Sequence, residues 1–171
     1  LMGLINVVGE LHDNVWSHGE STGFSQAQKF SFRGQEIEFA LADCGLGFLR
    51  EVNRAGLRNV SSDAEAIEWC IEEGHSSKLL NAPDDWAQAL PGDYQGNPMG
   101  RFGTVLQQNH HQGLGLAHLI KLVEKYDGTL HICSGESYLL VKNGVKSIQK
   151  SKSYWQGVAI SCRFNFDNLI N

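Results

Sequence analysis

An amphipathic helix at the start of the chain is the feature that most constrains the fold. Over residues 2–18, apolar side chains recur three and four positions apart and form one stripe: Leu4, Val7, Val8, Leu11 and Val15. Glu10, Asn14 and Ser17 repeat at the same spacing and lie on a second face beside that stripe. The pattern predicts a helix that holds a carboxylate and a carboxamide one turn apart at the edge of a core. An ordinary solvated helix face is the alternative for Glu10 and Asn14.

A strand that ends in a glycine turn is the second informative stretch. Residues 36–43 alternate, and the apolar side chains share one face: Ile37, Phe39 and Leu41. The strand leads into the turn Asp43-x-Gly45-x-Gly47. Because Asp43 closes an apolar strand, its carboxylate is expected to lose water and to need hydrogen-bond donors. Those donors are either amides of the turn itself or a donor group of a bound ligand.

The third stretch, residues 112–125, is a Gly-x-Gly turn that opens a helix. Gly113 and Gly115 form the turn, and the apolar stripe of the helix follows: Leu116, Leu119, Ile120 and Val123. The free amide groups and the positive dipole end at such a helix start favour an anion. The pattern therefore predicts a site for phosphate groups.

Taken in chain order, these motifs resemble those of a known superfamily. Glu10-x-x-x-Asn14, Asp43-x-Gly45-x-Gly47 and Gly113-x-Gly115-Leu resemble the N, G1 and G2 boxes of the histidine-kinase-like ATPases, which include gyrase, MutL, histidine kinases and anti-sigma-factor kinases. The resemblance covers residues 2–164. It implies the Bergerat ATP-binding fold: an α+β two-layer sandwich whose mixed, mostly antiparallel sheet is covered by helices on one face. We expect one ATP-binding domain over residues 1–171, cut from a longer protein because the chain begins at Leu1 and enters a helix at once.

The resemblance implies a role for each box. The Asp43 carboxylate would bind the adenine amine, and Gly45 and Gly47 would let the backbone approach the base. Asn14 would ligate Mg²⁺, which takes few protein ligands and completes its shell with phosphates and water. Glu10 would be the general base that orients a water or a substrate hydroxyl for in-line attack on ATP.

Phosphate contacts are implied at two further places. The G2 box would hold the phosphates through four consecutive residues: Gly113, Leu114, Gly115 and Leu116. Gly74-His-Ser-Ser-Lys78 resembles a motif found before the lid in many members, which implies that Lys78 contacts the terminal phosphate. Arg101 is a second candidate, and an ordinary solvated loop cation is the alternative for both. The sequence departs from the pattern at His111, where the fuller G2 box has glycine, and at Val158, where relatives often have threonine.

The remaining elements are predicted from pattern alone. Residues 75–112 hold all 3 prolines and have poor periodicity, which favours a lid or binding loop over a tolerated insertion. Ser62 is predicted to cap a helix that runs to Glu73. Other segments are a strand over 28–32, a short helix over 47–56, and strands over 129–133, 138–141 and 155–164, with hairpin ends at 142–144 and 146–152.

Charge and composition exclude several classes of function. The net charge of −5 argues against a nucleic-acid or membrane surface, and the apolar fraction of 42% is ordinary for a soluble domain. None of the 4 cysteines lies in a Cys-x-x-Cys pair, so we expect reduced thiols, no zinc site and a cytoplasmic protein. No apolar run approaches the ~20 residues of a membrane span.

These features predict a signalling domain that binds ATP and Mg²⁺ and transfers the terminal phosphate to a protein or to water. The expected enzyme is a protein kinase of histidine or anti-sigma type, or an ATPase. It would act with a protein substrate or regulatory partner, and the sequence does not determine its oligomeric state. The alternative is a nucleotide-gated interaction module with little turnover. His111 in place of the glycine, Val158 and the unusual lid favour this alternative, and Glu10 disfavours it. A scaffold that has lost nucleotide binding is a third reading.

Overall fold

Helices and strands intermix along the chain as in an α+β domain. The computed structural model describes residues 2–17, 21–31, 35–57, 59–73, 75 and 115–165. Within these ranges the elements are α1 (Met2–Ser17), β1 (Gly23–Phe30), β2 (Glu36–Asp43), α2 (Gly47–Arg54), α3 (Asp63–Ile71), α4 (Gly115–Lys125), β3 (Thr129–Lys142) and β4 (Val145–Asn165). Among these described residues, none of the helices is both long and apolar enough to cross a membrane.

The four described strands form one sheet in the order β1-β2-β4-β3. Each adjacent pair is antiparallel, so the described strands do not show the mixed sheet that was predicted. Phe39 lies opposite Cys162, and Leu41 lies opposite Ile160, which puts these four side chains on one face. That face is buried, and the helices pack on it.

The core forms where the predicted apolar stripes meet the sheet. From α1 the buried side chains are Leu4, Val7, Leu11 and Val15, and from α4 they are Leu116, Leu119, Ile120 and Val123. Both sets belong to one cluster with Ile67 of α3 and with buried residues of β2, β3 and β4. The predicted helices at the start of the chain and after Gly115 are therefore confirmed. The predicted cap of α3 is confirmed as well, because Ser62 and Glu65 form a reciprocal capping box.

The prediction for β1 was wrong in its position. The strand begins at Gly23, five residues before the predicted start at Gln28, and ends at Phe30. Residues 24–29 are exposed on both sides of the strand. Because neither side is buried, the strand does not require apolar residues at alternate positions, and the sequence there shows no such alternation.

The prediction of three strands after α4 was also wrong, because residues 129–142 form one strand and 145–165 another. The Asn143-Gly144 hairpin turn is confirmed, whereas residues 146–152 lie within β4 and are not a hairpin end. Register shifts on either side of Gly135 mark a bend in the ribbon. At Gly135 φ is +61°, and an added Cβ would fall 2.0 Å from a carboxylate oxygen of Asp63. The bend therefore depends on the glycine and on α3.

The opposite face of the sheet carries a polar network around Glu38. Its carboxylate accepts hydrogen bonds from Ser161 Oγ at 2.8 Å and from Arg163 Nε at 3.0 Å. Partial burial raises the pKa of Glu38, but the hydrogen bonds and the positive charge of Arg163 outweigh burial and leave the pKa below its ordinary value. The charge of Glu38 is thus stabilised mainly by the neighbouring β4 side chains Ser161 and Arg163, with a smaller contribution from His131 of β3.

Candidate functional site

The start of α4 lies against the polar face of α1. A Cβ added to Gly115 would lie 2.9 Å from Glu10 Oε2 and 3.7 Å from Asn14 Nδ2. Gly115 is buried, while Glu10 and Asn14 are half-buried. A carboxylate and a carboxamide therefore meet the amino-terminal end of a helix, where amide groups and the helix dipole favour anions. The structure thus brings Gly115 against Glu10 and Asn14, which lie far from it in the sequence.

Asp43 is buried at the end of β2. Its side chain is 5% exposed, and Oδ1 accepts a hydrogen bond from the Gly45 amide at 2.7 Å. Burial raises the pKa of Asp43, and the backbone amides of Gly45 and Val158 oppose this rise only in part. The carboxylate is thus held by neutral donors, as the turn-capping interpretation of Asp43 requires, in a setting that disfavours its charge.

Two glycines allow other backbone segments to close around Asp43. At Gly157 φ is +92°, and an added Cβ would lie 2.4 Å from the Asp43 carbonyl oxygen and 2.6 Å from Oδ1. At Gly47 φ is +74°, and an added Cβ would lie 3.0 Å from Ser134 Oγ. Both positions therefore favour glycine for its conformation, and Gly157 needs glycine for space as well.

Hydrogen bonds from β3 and β4 complete the surroundings of Asp43. The buried Ser134 hydroxyl donates to the Gly157 carbonyl at 2.9 Å and accepts from the Phe48 amide at 3.1 Å. Trp155 Nε1 donates to the Asp43 carbonyl at 3.2 Å. Ser134 and Trp155 were not among the predicted site residues. An isolated glycine inside a strand, such as Gly157, is the one sequence signal that indicates a close approach here.

The Asp43 end of β2 is also adjacent to α1. Asp43 lies opposite Gly23 in the antiparallel pairing of β1 and β2. A Cβ added to Gly23 would lie 3.0 Å from a methyl carbon of Val15, the residue after Asn14. Asp43 and the polar face of α1 therefore border the same corner of the domain.

The other predicted site residues divide into two groups. Gly45, Gly47 and Leu116 are described, and the Leu116 side chain packs into the core, so it offers only backbone groups to a ligand. The other site residues lie outside the described residues: Lys78, Arg101, His111, Gly113 and Leu114. Almost all of the predicted lid over 75–112 lies outside them as well. Among the described residues, no group of three or more His, Cys, Asp or Glu side chains forms a metal site.

Comparison with known proteins does not extend this picture. No protein-family model and no curated protein sequence matches the chain. The likeness to the histidine-kinase-like ATPases therefore stays a prediction from three motifs. The described geometry adds the approach of Gly115 to Glu10 and Asn14 and the enclosure of Asp43.

Proposed function

We propose that this domain binds ATP with Mg²⁺ in the corner between α1, the end of β2 and the start of α4, as a Bergerat-type domain would. It transfers the terminal phosphate to a protein side chain or to water. The observation that carries the proposal is the approach of Gly115 to Glu10 and Asn14. A helix start suited to phosphate beside a possible metal ligand and a possible base is the arrangement that phosphoryl transfer needs.

Asp43 supports the adenine end of the proposal. A carboxylate has about four acceptor positions, and the amides of Gly45 and Val158 use two of them. The exocyclic amine of adenine is a donor of the right kind for a remaining position. A ligand donor would also offset the unfavourable burial of this charge, which explains why an acid is kept at a site where no cation among the described residues lowers its pKa.

Glu10 and Asn14 support the phosphate end. The Asn14 side-chain oxygen would provide a protein ligand to Mg²⁺, with phosphate oxygens and water completing the shell. Glu10 would accept the proton of the attacking hydroxyl or water. The oxygen of that hydroxyl or water would bond to the terminal phosphorus as ADP leaves. The half-buried position of Glu10 leaves it accessible to a substrate.

The first test replaces Glu10 and compares it with its exposed neighbour Asp13 on the same helix. Glu10→Gln should lower ATP turnover by about 10²- to 10⁴-fold, because it removes the base, yet leave ATP affinity unchanged. Asp13→Asn should change neither quantity. Turnover is measured by phosphate release and affinity by titration calorimetry. ATP binding without turnover in the wild type would favour the nucleotide-gated module, and absence of ATP binding would refute the proposal.

A second test moves Glu10 without removing it. The Cβ of Gly115→Ala would approach the flexible carboxylate end of Glu10, so the free energy of unfolding should change by less than about 1 kcal/mol. Turnover should fall by about tenfold to a hundredfold, because the carboxylate is displaced from the reacting group. Gly9→Ala is the matched control, since a Cβ there meets nothing within 4 Å. Equal turnover in the two variants would show that the contact has no catalytic meaning.

A further inference from the structure

The outer edge of β1 is unusually open for a sheet edge. Among the described strands β1 is the outermost, and its eight residues pair in unbroken register with β2 on its inner side. Residues 24–29 are exposed, and Phe24 is 77% exposed. A strand of this kind presents a row of backbone amide and carbonyl groups outward, where another strand can pair with it.

The sequence of β1 carries little of the protection that is usual at such an edge. Residues 23–30 contain no proline, and Lys29 is their one charged side chain. Natural edge strands are commonly interrupted by proline, a bulge or several charges, which prevent another strand from adding to the sheet. With Lys29 as its one charge and no proline, β1 offers little to prevent a further strand from pairing with it.

We infer that β1 pairs antiparallel with β1 of a second copy of this chain, about a two-fold axis at Ala27. A two-fold axis perpendicular to the sheet keeps corresponding faces together, so it joins the two sheets into one. In this register Phe24 lies opposite Phe30 of the partner subunit, and Gln26 lies opposite Gln28 of the partner subunit. This interface is separate from the proposed nucleotide site and does not depend on it.

The Ala27 register is favoured because the strand is complementary to itself there. The two-fold axis creates two cross-strand Phe–Phe pairs on the open face of the sheet, and aromatic pairs are among the stabilising cross-strand contacts. Lys29 meets Ser25 of the partner subunit, so no like charges are opposed. A register centred on Gln26 or on Gln28 would instead place a glutamine opposite Phe24 or Phe30. The guanidinium of Arg163 already lies 5.0 Å from the Phe30 ring centroid and holds that ring on the open face.

Disulfide crosslinking tests both the pairing and its register. The exposed Cys44 is first replaced by serine, and Ala27→Cys, Gln26→Cys or Gln28→Cys is then added. Cα atoms directly opposite in an antiparallel pair are about 4.5–5.5 Å apart, which suits a disulfide, whereas residues offset by two positions are beyond about 7 Å. Mild oxidation should therefore crosslink Ala27→Cys and neither of the other variants. Crosslinking at position 26 or 28 instead, or at none of the three, would overturn the inference.

Sedimentation measures the same interface without a covalent bond. The wild type should show a concentration-dependent dimer, and Phe24→Glu should weaken it by about tenfold to a hundredfold because two aromatic pairs are lost. Val145→Glu is the control, since Val145 is 66% exposed in the hairpin between β3 and β4. A wild type that stays monomeric, or equal dimer affinities in the two variants, would contradict the proposed pairing.

Discussion

Two carboxylates on the same strand show how differently one sheet treats its two faces. Glu38 lies on the open face, where Ser161 and Arg163 donate to it and its pKa is below the ordinary value. Asp43, five residues later, lies on the covered face among glycines, where burial raises its pKa. Side chains of β4 stabilise the charge of Glu38, whereas the donors to Asp43 among the described residues are backbone amides.

This difference is the one expected if Glu38 serves the fold and Asp43 serves the proposed nucleotide site. Replacing Glu38 removes an ion pair that is partly open to solvent, and such pairs contribute little. Burial disfavours the charged form of Asp43. Among the described residues two backbone amides donate to its carboxylate, which leaves acceptor positions unused within that part of the chain. Acids whose pKa is raised by burial in an enclosed corner are candidates for function for this reason.

The largest expected effect comes from filling the space beside Asp43. Gly157→Ala would place a Cβ 2.4 Å from the Asp43 carbonyl oxygen at a φ of +92°, so unfolding should require about 3 kcal/mol less free energy. Gly56→Ala is a close control, because Gly56 has φ +93° and a Cβ there meets nothing within 4 Å. Denaturant titration of both variants isolates the crowding. Equal losses would mean that Asp43 is not tightly enclosed.

The next effect compares the hydroxyl on each side of the sheet. Ser134→Ala removes the link between the Gly157 carbonyl and the Phe48 amide in a buried place, so it should cost about 2 kcal/mol. Ser161→Ala removes one donor to Glu38 in a half-buried place and should cost less, about 0.5–1 kcal/mol. Both values follow from urea unfolding. A reversed order would contradict the expectation that the buried hydroxyl on the Asp43 side contributes more to stability than the hydroxyl beside Glu38.

The smallest effect is a pH dependence of opposite sign for the two acids. Since the pKa of Glu38 is lowered on folding, its ion pair stabilises the protein at neutral pH and this stability is lost as pH falls through the folded pKa. Since the pKa of Asp43 is raised, its ionisation destabilises the fold as pH rises through the folded pKa. As pH rises from about 3 to about 7, the stability of Glu38→Gln relative to the wild type should therefore fall, by about 0.5 kcal/mol. Over the same range the stability of Asp43→Asn relative to the wild type should rise. The same slope for both variants would remove the contrast between the two carboxylates.

The parts of the fold that the sequence predicts are those with strong periodicity. The α1 and α4 stripes and the alternation of β2 follow from repeats of 3.6 and 2 residues. Most of their apolar side chains are buried as expected, whereas Val8 and Ile37 are only partly buried. The start of β1 was missed because its exposed sides impose no pattern. The bend at Gly135 was missed because Asp63, far away in the chain, occupies the space of a side chain there.

The candidate site was predictable to the extent that its residues belong to local motifs. Glu10, Asn14, Asp43 and Gly115 could be selected because each stands in a short pattern with its own chemistry. Ser134 could not be selected, because its two hydrogen bonds join segments 23 and 86 residues away. Contacts of that kind arise only when the strands are assembled.

The most direct measurement of the central claim is thermal unfolding with and without Mg²⁺ and ATP, for the wild type, Asp43→Asn and Glu38→Gln. ATP at a hundred times its dissociation constant should add about 2.7 kcal/mol and raise Tm by about 5–10 °C in the wild type. Glu38→Gln should show the same shift, and Asp43→Asn should show none, because the adenine acceptor is altered. No shift in the wild type, or an equal shift in Asp43→Asn, would contradict the assignment of this corner as a nucleotide site.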